Sequence, residues 1–122
     1  MKHFKIISIL TVSFLIVESA FAIPIYYDGR KTVTTAGTAE TISSADLPFK
    51  TATICAESDN TGVIAIGNDP IAALATREGV FLFASDCWTA DGRDNINGNL
   101  NQIKIDASVS TDGVTYTYSQ IR

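Results

Sequence analysis

Two cysteines and one polar loop hold the side chains best suited to chemistry. Cys55 and Cys87 stand 32 positions apart. A thiol pair can act as a redox centre or close as a disulfide. A redox centre calls for Cys-x-x-Cys spacing, or a base that lowers one thiol's pKa. Neither cysteine has such a neighbour. In an oxidising compartment two cysteines allow one connectivity, so a structural Cys55–Cys87 disulfide is expected. The loop runs Asp91-Gly92-Arg93-Asp94-Asn95-Ile96-Asn97-Gly98-Asn99. Carboxylate and amide oxygens at such spacing are calcium ligands, and Asp91, Asp94, Asn97 and Asn99 are the candidates. The EF-hand register fails, because Arg93 falls where the first acid belongs when Gly98 takes the sixth position. No glutamate closes the loop, so no metal is assigned. The same residues tolerate positive φ and suit a polar hairpin turn.

Aromatic side chains are the other candidate binders, because sugars stack on exposed rings. Tyr26 and Tyr27 are adjacent, so in a strand they point opposite ways and one of them faces solvent. Trp88 shares a face with Ala90, and Tyr116 and Tyr118 share one with Val114, which suits a core. Carboxylate catalysis needs two acids in one pocket, about 5–10 Å apart. Asp59, Asp69, Asp86, Asp91 and Asp94 all lie in or beside turns, where aspartate ordinarily caps backbone amides. No phosphate loop or serine elbow is present.

The single histidine, His3, lies in a segment that reads as a cleavable export signal. Lys2 and Lys5 form a basic start, Ile6–Val17 is apolar, and Ala20-Phe21-Ala22 is a small-x-small cleavage site. The apolar run is too short to span a bilayer, which takes about 20 residues. Cleavage after Ala22 leaves residues 23–122 as one domain, secreted or periplasmic, with no membrane insertion. That domain has no histidine, which excludes Ser-His-Asp and Cys-His catalysis and histidine-based metal sites. Nine basic residues less Lys2 and Lys5, and thirteen acidic less Glu18, leave a net charge of −5. An acidic domain without a basic stripe argues against nucleic acid and anionic membranes.

The elements that must position these residues are short β-favouring runs about every ten residues, the pattern of an all-β sandwich or barrel. Candidate strands are Ile25–Tyr27, Lys31–Thr35, Ala39–Ser43, Phe49–Glu57, Val63–Ile66, Val80–Phe83 and Cys87–Asp91. Ile103 and Ile105 carry another, and Val114–Ser119 the last. Asp28-Gly29, Ser58–Gly62, Gly67–Pro70 and Thr111–Gly113 are turn signals. Ile71–Arg77 reads as loop with one helical turn at most. Parity puts Cys55 with Thr51 and Thr53, opposite Ala52, Ile54 and Ala56. Cys87 goes with Thr89, opposite Trp88. If those strands are neighbours, the disulfide lies on the outer face or at a strand edge, not in the core.

The order Thr53-Ile54-Cys55-Ala56-Glu57-Ser58-Asp59-Asn60-Thr61-Gly62, Val63–Asn68, Arg77–Leu82, Ser85-Asp86-Cys87-Trp88-Thr89, Ile103–Ala107 and Asp112–Tyr118 resembles small β-sandwich proteins encoded among bacteriophage structural genes, of the head-fibre or capsid-accessory type. The resemblance spans about residues 31–118. It implies a jelly-roll-like antiparallel sandwich, no enzymatic activity, no cofactor, and protein partners or self-association on a particle surface. The export signal and the cysteine pair depart from that family and fit a relative used outside the cell. The expectation is a secreted structural or accessory surface protein, a subunit of a fibre or coat or virion-associated. The alternative is an extracellular glycan- or calcium-binding module. A hydrolase built on carboxylates alone is a third reading.

Overall fold

The computed structural model describes residues 23–68, 77–92 and 98–120. Eight strands follow in order: β1 Ile25–Thr32, β2 Glu40–Thr41, β3 Thr51–Ala56, β4 Ile64–Asn68, β5 Val80–Leu82, β6 Cys87–Asp91, β7 Ile103–Ala107 and β8 Gly113–Gln120. A single 3-10 turn, Leu100–Gln102, precedes β7. The described residues are all-β, with two antiparallel four-stranded sheets ordered β1-β8-β3-β6 and β2-β7-β4-β5.

Alternation builds the core. Along β3, Ala52, Ile54 and Ala56 are buried while Thr51, Thr53 and Cys55 are half-exposed. From β8, Val114 and Tyr118 join the same inner face. They share one apolar cluster with Ile64 and Ile66 of β4, Leu82 of β5, and Ile103, Ile105 and Ala107 of β7. The two sheets therefore close on a common interior, a sandwich-like arrangement. Isoleucine and valine dominate because branched side chains fit a pleated, buried surface.

Several local expectations are corrected. Asp28-Gly29 is not a turn: β1 runs through it in unbroken register with β8. The reason is packing, since Gly29 lies opposite Tyr116 and a Cβ there would collide with the Tyr116 ring. The strand expected to stop at Ile66 runs on through Gly67 and Asn68. Lys104 and Ile103 of β7 lie opposite and supply ladder partners, so pairing overrides turn propensity. The expected strand Ala39–Ser43 contracts to Glu40–Thr41. The apolar run Val80–Phe83 buries only Leu82, because β5 is a sheet edge. Residues 1–22, most of 71–77 and the centre of the Asp91–Asn101 loop lie outside the described residues.

Two buried carboxylates hold the loops. Asp112 accepts hydrogen bonds from the Thr61 amide at 3.1 Å and the Gly62 amide at 2.7 Å. Asp106, fully buried, accepts from the Gly37 amide at 2.9 Å and the Ala107 amide at 2.8 Å. Each carboxylate thus replaces lost hydration with amide donors, the condition for burying charge.

Candidate functional site

The outer face of the β1-β8-β3-β6 sheet carries four of the expected residues, Tyr26, Asp91, Cys55 and Cys87. Register orders that face in three ranks across the sheet. One rank is Tyr26, Ser119, Thr51 and Asp91. The next is Asp28, Thr117, Thr53 and Thr89. The third is Arg30, Thr115, Cys55 and Cys87. Five threonines therefore share one face, two of them joined by a Thr53–Thr89 hydroxyl hydrogen bond of 3.2 Å. Threonine pairs across strands stabilise a sheet while leaving the face polar.

Cys55 and Cys87 close the third rank as a disulfide between directly opposed residues. It lies on the outer face, as the parity of the two strands requires. It staples the edge strand β6 to β3 and leaves the core to aliphatic side chains. Such a bond fits an oxidising compartment. Among the described residues no helix is long and apolar enough to cross a membrane.

Next to the disulfide, Arg30 of β1 reaches across β8 to Glu57. Its Nε donates to Glu57 Oε1 and its Nη2 to Oε2 at 2.8 Å, a bidentate pair. The Glu57 hydrogen bond and charge, with Asp59 behind them, raise the Arg30 pKa further above its ordinary value. Around this pair lies a shallow polar depression of ≈ 500 Å³, lined by Ser58, Asp59, Ser85 and Thr115 among others.

The expected ligand residues are dispersed. Tyr26 is 69% exposed, whereas Tyr27 points inward and stacks on Tyr118 with ring centroids 5.2 Å apart. Burial, then the neighbouring Tyr116 and Tyr27, push the Tyr118 hydroxyl pKa up. The two adjacent tyrosines therefore cannot clamp one sugar. Asp91 is half-buried at the β6 end of the first rank, three strands from Tyr26 and so about 14 Å away. Asn99 is occupied as a cap. Its Oδ1 accepts from the Leu47 amide at 2.9 Å and the Asn101 amide at 3.2 Å, and its Nδ2 donates to Asp46. Asp94 and Asn97 lie outside the described residues. Among the described residues no three His, Cys, Asp or Glu side chains gather as a metal-binding group.

Asp86, one of the turn aspartates, accepts from the Phe83 amide at 3.0 Å, the capping role its position implies. Two features escape a sequence reading. The Arg30–Glu57 pair joins residues 27 positions apart, visible only once β1 and β3 flank β8. The second is an apolar patch where Val80, Phe81 and Phe83 are exposed beside a ≈ 490 Å³ depression lined by Val63, Arg77 and Ser108. Nothing in a short apolar run distinguishes an edge strand from a central one. In comparison with known proteins, the chain matches no family model and no curated protein.

Proposed function

We propose that the protein is an exported, non-enzymatic structural or accessory surface protein with a jelly-roll-like fold, acting as a fibre or coat subunit or on a virion-like particle. The strand pairing carries this reading. Four of the six ladders, β1 with β8, β2 with β7, β3 with β6 and β4 with β5, join strands whose ordinal numbers sum to nine, and the other two, β3–β8 and β4–β7, join these pairs within each sheet. Pairs alternate between the two sheets. That is a long two-stranded ribbon bent double and wrapped, the connectivity expected of a jelly roll, which serves capsids as well as lectins. The resemblance to bacteriophage structural proteins points the same way. So do a domain lacking histidine after Ala22 and carboxylates spent on backbone amides. Because one fold hosts many functions, the assignment rests on the fold and the resemblance together.

Expression with the export signal intact, followed by sedimentation of particles and fibres and electron microscopy, tests it. The protein is expected in the sedimenting fraction. Recovery only as free protein in the supernatant would overturn the reading. The glycan-binding alternative draws on Tyr26, exposed at the corner of a hydroxyl-rich face. A glycan array read with wild type and Tyr26→Ala decides it: binding lost on substitution supports the alternative, and a blank array removes it.

A further inference from the structure

We infer that the protein pairs with a second copy of itself through the free edge of β1, fusing two β1-β8-β3-β6 sheets into one eight-stranded sheet. This deepens the surface-protein reading by naming a partner. It is testable apart from that reading, since a dimer can form whether or not particles do.

The edge is suited to pairing. β1 has eight residues, no proline and no bulge, and its ladder with β8 is unbroken. The other sheet edges, β2, β5 and β6, have two, three and five residues. A long, straight open edge is a template for another strand. The hydrogen-bonding phase is set by two bonds. The Glu57 amide donates to Gly113 O, so odd residues of β8 bond toward β3 and even ones toward β1. The Val33 amide donates to Asp112 O, so odd residues of β1 bond toward β8. The backbone groups of Tyr26, Asp28, Arg30 and Thr32 therefore point outward from the sheet edge.

Charge then selects the register. Pairing centred on Gly29 sets Asp28 opposite Arg30 of the second copy, and Arg30 opposite its Asp28. Tyr26 falls opposite Thr32. All four outward-bonding residues are matched, and both copies present the same face. Centring on Asp28 or on Arg30 instead opposes like charges. Centring on Tyr27 or Lys31 leaves half of those four residues without partners. Asp28 is exposed and has no side-chain partner among the described residues, and Arg30 keeps Nη1 free after its two bonds to Glu57. The β1 edge is thus self-complementary under a two-fold axis through Gly29, the geometry of an isologous interface.

Light scattering after size-exclusion chromatography of the exported chain, with matched melting curves, tests this. Wild type is expected at dimer mass. Asp28→Arg and Arg30→Asp each create like-charge oppositions, so each alone is expected at half that mass. Mixed together they restore complementarity and are expected to form a heterodimer, and the D28R/R30D double variant a homodimer. Should either single variant fail to fold, amide hydrogen exchange on wild type gives an independent readout. Protection of the Asp28 and Arg30 amides is expected to rise with protein concentration. A monomeric wild type overturns the inference. So does a dimer indifferent to both charge reversals, or one whose Asp28 and Arg30 amides exchange freely at every concentration.

Discussion

At the scale of single residues, the side chains with the most chemical character are spent on holding the fold. Cys55 and Cys87 close a loop of 32 residues' separation, which the chain-entropy model values at about 3–4 kcal/mol. Urea unfolding of the C55S/C87S variant is therefore expected to show stability lower by about that amount, with the far-UV spectrum unchanged. A loss near zero would mean that the denatured chain is already constrained. Glu40 offers a second test. Burial pushes its carboxyl up, but the Lys31 ammonium at 2.7 Å and the Thr34 amide at 2.6 Å, with Thr35 adding to them, bring it below the ordinary value. A lowered folded pKa stabilises the native state above the unfolded value of about 4.3, and that share is lost as pH falls through the folded value. Glu40→Gln is expected to flatten the acid side of the melting temperature against pH curve below about pH 4, while leaving the shape near neutrality unchanged. An unaltered acid limb would remove Glu40 from the acid response.

At the scale of elements, β1 shows where sequence reasoning succeeds and where it stops. Alternation in β3, β6 and β8 is readable because one face of each is apolar, and it puts both cysteines on the polar side; that β3 and β6 are neighbours, which puts the disulfide on the outer face, is supplied by the fold. The break expected at Asp28-Gly29 was wrong, because local turn propensity competes with a partner that sequence order hides. Tyr116 lies some ninety residues away, yet it occupies the space above Gly29. Gly29→Ala is expected to destabilise the domain by about 1–3 kcal/mol through overpacking. In a double-mutant cycle Tyr116→Ala should recover part of that loss, and additive effects would argue that the glycine serves backbone freedom instead. The turn before β8 holds Thr111 at φ +78°, a conformation poor for a β-branched residue. Thr111→Gly is expected to raise stability by about 1 kcal/mol in chemical denaturation, and a destabilised variant would mean that the threonine side chain contributes more than the strain costs. The candidate site was less legible than the strands. Tyr26 and Tyr27 could be split by parity, but whether Asn99 was ligand or cap depended on Leu47 and Asp46 approaching from elsewhere in the chain.

At the scale of the whole molecule, nested pairing makes contacts overwhelmingly long-range. The first described strand pairs with the last, so the β1–β8 ladder closes a loop that holds nearly the whole domain. Such topologies fold slowly, because loop-closure entropy precedes the reward of contact. A circular permutant joining Gln120 to Ile25 through a short linker, opened in the Ser58–Gly62 turn, converts that ladder into a local hairpin. It is expected to refold faster than wild type in stopped-flow experiments, and an equal rate would place β1–β8 pairing after the rate-limiting step. The adjacency of the two ends has a mechanical consequence as well. Ile25 and Gln120 are opposed at one end of neighbouring antiparallel strands. Their ladder bonds lie perpendicular to the strands, so tension applied through the termini pulls along the bonds and opens them one after another. The same ladder loaded lengthwise would resist in parallel. A domain wired this way peels like a zipper when stretched between its ends. On the proposed role in a fibre or coat, load is expected to enter through its faces and edges instead.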